Sequence, residues 1–311
     1  MTIRSTVFYV SDGDVSTLTK EFENNITTNS LGLVQLKQVD PLKPAILFLG
    51  DSFTEGHGAS PWFYELERRW PKAFPQIING GILGTGVEAW GRLYDDLSRH
   101  IKIDRIVIIF TSQDWTWPVW QLSKSVLVCL RAHLLCSGHE DFFSLPVSSP
   151  STEQYVQNIA RSRFEYDRQK TRDESLLERT FIFSRILLPS YRTVHKFFAR
   201  ADNASSDDKQ FERSENTIIR IVGSIGRDHM LLIHVPMKDE IPVGPNQLGT
   251  RAREFLSQHK ITLVDGFKSC GLTLEDYYRT DNHPNQNGYQ KIAACVERNI
   301  KIGRASCRER V

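Results

Sequence analysis

Five short apolar runs punctuate the chain: Ala45–Leu49, Gln76–Ile78, Arg105–Phe110, Met230–Val235 and Ile261–Val264. Their near-continuous apolar character and their β-branched and aromatic content fit strands buried on both faces of a parallel sheet. Helical periods lie between most of them. "GVEAWGRLYDDLSRHI" brings Val87, Trp90, Leu93, Tyr94 and Leu97 onto one face. "SPWFYELERRW" opens with Ser60 as an N-cap and Pro61 as the first helical residue, a place that suits a residue without an amide hydrogen. Strand and helix in alternation predict an α/β domain, its parallel sheet covered on both sides.

The rhythm fails at two places. Residues 1–40 read as short strands or a hairpin against an edge of the sheet, followed by the main domain over 41–301. From about 115 to 213 helical patterns continue without a good strand, and Arg161–Arg200 carries ten basic residues against five acidic ones. A helical cap inserted into the α/β domain is the preferred reading, ahead of a helix lying on a membrane surface.

Composition narrows the class of protein. The 311 residues are 40% hydrophobic and 24% charged, with a formal net charge of +2, which gives no global electrostatic case for binding nucleic acid. No apolar stretch is long enough to span a bilayer, and "MTIRSTVFYVSDGD" lacks the apolar centre of a signal peptide. A cytoplasmic location is expected as the chain is written, an extracytoplasmic one if its start is incomplete. The five cysteines include no Cys-x-x-Cys pair, so neither a metal nor a cofactor is expected. Cys129 and Cys136 would lie about 10 Å apart along a helix, too far to bridge; reduced, buried thiols are the expectation. The final "IGRASCRERV", residues 302–311, back-translates into a run resembling a common sequencing adapter and reads as a non-native tail that includes Cys307.

Candidate chemistry gathers at the ends of the predicted strands. "AILFLGDSFTEG" carries the first run into Gly-Asp-Ser, so Ser52 stands just past a strand's carboxyl end, where open α/β sheets place their ligands. "NGGILGTG", Asn79–Gly86, follows the second run, and "TSQDW", Thr111–Trp115, follows the third. "DNHPNQNG" sets His283 just before a helix. A serine nucleophile needs a base, an acid to orient that base, and donors for the developing oxyanion. Ser52, His283 and Asp281 can fill the first three roles. The amides of Ser52 and Gly84 and the side chain of Gln113 can supply the donors, and Gly84 permits close backbone approach.

These blocks, in this order, resemble the SGNH, or GDSL-type, hydrolases from Ala45 to about Ile300, with a long interruption after the third strand. The resemblance implies a three-layer α/β/α fold of flavodoxin-like type with a five-stranded parallel sheet, and ester hydrolysis without a metal. Two positions depart from the family pattern. Thr111, Gln113 and Asp114 stand where Gly-x-Asn-Asp is usual, so the amide donor sits on a stem one methylene longer. Thr280 occupies the usual position of the acid, three before the histidine, which leaves Asp281, two before, as the candidate ahead of Asp276.

Asp51, Asn79, Trp115 and Trp117 are candidates for substrate binding, the tryptophans as a platform for a sugar ring if they do not simply pack into the core. His57 reads as a solvated rim residue; His133, His195 and His234 read as structural. Gly81, Gly84 and Gly86 lack the order of a phosphate-binding loop. The leading expectation is a serine esterase or deacylase acting through an acyl-enzyme on Ser52, with a small acyl ester as substrate, including an O-acetyl group on a carbohydrate. The alternatives are an O-acyltransferase using the same site and a non-catalytic carbohydrate-binding module.

Overall fold

The computed structural model describes residues 2–10, 18–71, 74–119 and 188–308, with side chains over 21–71, 74–119 and 206–300. Most of the predicted insertion lies outside the described residues, together with Cys129, Cys136, His133 and the side chain of His195. The chain divides into two compact units, one of Met1–Val7, Glu21–Val119 and Gln210–Val311, the other of Phe8–Lys20 and Trp120–Lys209. The sheet and the candidate site belong to the first.

Near the amino terminus, β1 (Thr2–Val10) and β2 (Leu18–Thr27) form a two-stranded sheet. The main sheet contains β3 (Ala45–Gly50), β4 (Gln76–Gly81), β5 (Ile103–Phe110), β6 (Met230–His234) and β7 (Thr262–Asp265). Its spatial order is β4-β3-β5-β6-β7, and every pairing is parallel. All five strands fall where the apolar runs predict them. The order of strands reverses beside β3, so the crevice at its carboxyl end is the topological switch point.

Seven helices follow in chain order among the described residues: α1 (Ser52–Glu55), α2 (Trp62–Arg69), α3 (Val87–Ser98), α4 (Leu188–Ile225), α5 (Gln247–Gln258), α6 (Gly266–Ser269) and α7 (Gln286–Arg308). Strand pleating sends successive side chains to opposite faces and so builds two cores. Leu47, Leu49, Ile106 and Ile108 pack with Trp90 of α3, Phe211 and Ile218 of α4, and Phe255 of α5. Ile46, Phe48, Val107 and Ile109 pack with Trp62 and Phe63 of α2 and with Tyr289 and Val296 of α7. Two apolar faces explain why these strands read as continuous runs, and they make the domain a three-layer α/β/α fold.

Two local expectations shift. Helix α2 starts at Trp62 with Pro61 as its N-cap and no side-chain capping bond, one residue later than the Ser60 reading. Cys270 and Cys295 form a disulfide with Cα atoms 5.0 Å apart, which corrects the expectation of reduced thiols for this pair. One ends α6 and the other lies on α7, so no local spacing betrays a pairing made by two elements on the same core.

Candidate active site

The chain turns sharply where β3 ends. Asp51 N-caps α1, its carboxylate accepting the Phe53 N–H at 2.8 Å, and Gly56 closes the single turn at φ 89°. A Cβ on Gly50 would stand 1.9 Å from Thr54 Oγ1 and 2.5 Å from the Ile109 carbonyl, so only glycine lets this turn nest against β5. Ser52 therefore opens a helix, and its amide lies among the first-turn N–H groups that have no acceptor within the helix.

His283 arrives from the far end of the chain on a braced loop. Tyr277 and Pro284 make an antiparallel bridge, and Tyr278 N–H donates to the His283 carbonyl at 3.0 Å. Tyr277 Oη donates to the Pro236 carbonyl at 2.5 Å, which ties the loop to the segment after β6. His283 Nε2 lies 2.7 Å from Ser52 Oγ, and Nδ1 makes a short contact with Asp281 Oδ1. Asp281 also accepts the His283 backbone N–H at 2.8 Å. Burial pushes the Asp281 carboxyl up, but the hydrogen bonds and charge of His283 outweigh it and hold the group below its ordinary range. With Nδ1 donating to that carboxylate, the Nε2 lone pair faces the serine hydroxyl. Asp276, the rejected alternative, bonds to Thr273 and Lys291 instead.

A residue that sequence reasoning missed completes the brace. Glu21 of β2 accepts the Thr280 N–H at 2.7 Å and the Asp281 N–H at 3.0 Å, and its carboxylate also meets Thr280 Oγ1. Thr280, three before the histidine, thus serves as a tether while Asp281 reaches the imidazole.

A cavity of about 130 Å³ opens at this point, with Ser52, Gly84, Gln113, Trp117, Met237 and His283 on its walls. Gly84 sits at φ 70°, a left-handed conformation that favours glycine, and the turn around it is pinned by Thr85 Oγ1 donating to the Ile82 carbonyl at 2.6 Å. Gln113 is exposed on a 3₁₀ turn, Ser112–Trp115, and its side-chain amide has no partner among the described residues. Trp117, 37% exposed, stands on the cavity wall.

The structure does not bring Asn79 or Trp115 to the cavity. Trp115 is fully buried, stacked on Phe211 with ring centroids 5.1 Å apart and edge-on to Phe110 and Phe255. It is a core residue, since the 3₁₀ turn directs it among β5, α4 and α5 while Trp117, two positions on, emerges. Asn79 is buried as well, its amide donating to the Val34 carbonyl and its oxygen accepting the Gly81 N–H. Asp51 does line the cavity, but its carboxylate is engaged by Phe53 N–H and by Asp114.

Acidic groups crowd behind the serine. Asp51 and Asp114 are hydrogen-bonded to each other; burial raises Asp51 to about 6, and burial together with the charge of Asp51 drives Asp114 well above its ordinary value. Such a pair shares a proton because two buried charges in contact repel. Glu55 is raised to about 7 chiefly by burial, against the pull of the Leu83 N–H on the Gly84 turn. His57 is half-buried instead of solvated, its ring 4.8 Å from that of His283, and burial holds it neutral down to about 4.

A second serine–histidine contact lies beneath the site. Ser112 Oγ is 3.0 Å from His234 Nε2 and 2.5 Å from Glu240 Oε1, and Arg253 Nε donates to His234 Nδ1 at 2.8 Å. An arginine on Nδ1 forces the proton onto Nε2, so His234 donates to Ser112 and cannot act as its base. Glu240 also accepts the N–H groups of Met237 and Asn246, so this network ties the Gln113 turn to the Met237 wall. His234 is structural, as its sequence context suggests.

Fold and site together define a hydroxyl–imidazole–carboxylate triad at the switch point of a doubly wound parallel sheet. No family model and no curated protein sequence matches the chain. Solved structures that resemble it include a lipase/acylhydrolase from Enterococcus faecalis, 17% identical with a TM-score of 0.42, over 83% of this chain and 95% of that one. A member of the lipolytic G-D-S-L family from Veillonella parvula is 10% identical with a TM-score of 0.35, over 82% and 97%. A two-domain esterase active on acetylated mannans is 15% identical with a TM-score of 0.42, over 85% of this chain and 51% of that one.

Proposed function

We propose that the protein is a serine esterase that removes a small acyl group, with the 2.7 Å approach of His283 Nε2 to Ser52 Oγ as the observation that carries the reading. In this mechanism Ser52 Oγ attacks the ester carbonyl while His283 takes its proton, and Asp281 stabilises the imidazolium that forms. The tetrahedral oxyanion receives the N–H groups of Ser52 and Gly84 and the side-chain amide of Gln113. Collapse expels the alcohol, which takes the proton from His283, and leaves an acyl-enzyme. Water then repeats the sequence, giving up its proton to His283 and releasing the acid and free Ser52.

The size of the cavity supports a short acyl group. At about 130 Å³ it is smaller than the roughly 150 Å³ cavity known to hold a single benzene. Trp117 at its mouth offers an aromatic face to the alcohol portion, which suits a sugar ring. The Cys270–Cys295 disulfide supports an oxidising compartment in place of the expected cytoplasmic one.

Covalent labelling with a fluorophosphonate, alongside release of nitrophenol from nitrophenyl acetate, tests the reading. Wild type should label once, on Ser52, and Ser52→Ala should neither label nor turn over. A folded wild type that takes up no label would overturn the esterase assignment in favour of a binding module.

A further inference from the structure

We propose that His57, Asp281 and His283 form a binding site for zinc or a similar borderline divalent metal, and that a metal held there switches the triad off. The inhibitory half of this inference rests on the esterase reading; the binding half does not.

Each of the three side chains presents one ligand atom, all within 4.8 Å of one another, and each is half-buried. Two imidazole nitrogens and a carboxylate oxygen make a donor set that zinc accepts, with a fourth position left for water; magnesium and calcium prefer oxygen alone. Bond lengths of about 2.0–2.2 Å place tetrahedral ligand atoms roughly 3.4 Å apart, so the short His283–Asp281 contact must open to admit the ion while His57 closes in by up to about an ångström. His57 can supply that movement. Its backbone is anchored by the Tyr289 hydroxyl donating to its carbonyl at 2.8 Å, while its ring has no hydrogen bond among the described residues and rests edge-on against Phe22 and His283.

Metal and catalysis compete for the same electron pairs. A metal shared by His283 Nδ1 and Asp281 displaces the proton between them; the ring's proton then sits on Nε2, where the lone pair that would accept the Ser52 proton is lost, and the Asp281 oxygen no longer orients the ring. His57 takes no part in proton transfer. It adds the third ligand that a serine–histidine–aspartate chain alone lacks, and its ring already stands 4.8 Å from that of His283.

The test uses the full chain stripped of metal with a chelator, titrated with zinc chloride, and followed both by equilibrium dialysis and by hydrolysis of nitrophenyl acetate. Wild type and Ser52→Ala should each bind one zinc, and wild-type hydrolysis should fall in step with occupancy, return on adding chelator, and ignore magnesium. His57→Phe, which keeps an aromatic ring against Phe22, and His57→Ala should hydrolyse like wild type without metal. Both should bind zinc at least about tenfold more weakly, since losing even an outer-shell partner costs about 10–100-fold. Equal zinc affinity in the folded His57 variants, or no stoichiometric binding to wild type, overturns the site. Zinc binding that depends on His57 in a chain that hydrolyses nothing supports the site and counts against the esterase reading alone.

Discussion

Glu21 and Asp281 are 260 residues apart in sequence, yet the Glu21 carboxylate accepts the Asp281 backbone N–H at 3.0 Å. The contact fixes the backbone that carries the candidate acid, and the Thr280 N–H on the same carboxylate keeps that backbone from rotating. Hydrogen bonds to an ionised group are worth about 1.5–3 kcal/mol, of which part should appear in the barrier because the acid is least useful when loose. Glu21→Ala is expected to lower kcat about tenfold with little change in KM. Glu21→Gln, which keeps one acceptor oxygen but sets an amide nitrogen against the second N–H, should recover only part of the loss. A purely structural Glu21 would instead change thermal stability and leave the kinetics of the folded enzyme alone.

Gln113 tests the oxyanion assignment. In the proposed mechanism its amide acts on charge that exists only in the transition state, so its removal should fall on turnover and spare affinity. Gln113→Ala is expected to lower kcat about 10²–10³-fold, the usual cost of one such donor. Steady-state kinetics on nitrophenyl acetate check this, and an unchanged kcat with a raised KM would move Gln113 from the oxyanion to the substrate's rim.

Much of this architecture was legible because its signals are local. Ile106, Val107, Ile108 and Ile109 are consecutive and all buried, so a strand covered on both sides can be read without knowing what covers it. Ser52 and Gly84 stand directly beyond strands, and His283 directly before a helix, so topology alone carries them to one edge of the sheet. Long-range partners leave no such mark. Nothing near Thr280 points to Glu21, nothing near Cys270 points to Cys295, and the fate of Trp115 against Trp117 depends on which way a four-residue 3₁₀ turn faces. His57 lay in plain view, but its half-buried place beside His283 exists only once two ends of the chain meet.

The Asp51–Asp114 pair predicts an asymmetry between two substitutions at one position. Asp114 accepts the Thr111 N–H at 2.6 Å and shares a hydrogen bond with Asp51. Asparagine can do both, accepting with its oxygen and donating with its amide, and it needs no shared proton. Alanine leaves Asp51 buried with a lost partner and Thr111 N–H unsatisfied, a defect worth about 1–3 kcal/mol for each polar group. Urea denaturation at neutral pH should therefore find Asp114→Asn within about 1 kcal/mol of wild type and Asp114→Ala several kcal/mol below it. Equal losses would mean that the two carboxyls do not depend on each other.

Glu55 makes stability fall as pH rises. Burial, aided by the charge of Asp51, pushes its carboxyl from 4.5 to about 7 against the pull of the Leu83 N–H and of His283. Between those values the folded chain keeps a proton that the unfolded chain has released, so unfolding becomes easier as pH climbs through the interval and is indifferent to this group outside it. Glutamine carries no charge at any pH and still offers Leu83 an acceptor. The stability of Glu55→Gln relative to wild type should thus be constant below 4.5, rise between 4.5 and about 7, and level off above. Asp51, raised to about 6, gives a slope of the same sign in both proteins. His57 and His234, lowered to about 4 and about 3, give the opposite slope in both, because their stability is lost as pH falls below 6.5. Urea midpoints measured in steps across this range isolate the Glu55 contribution. If wild type gains on the variant as pH rises, the carboxylate is stabilised in the fold and the burial argument for Glu55 is wrong.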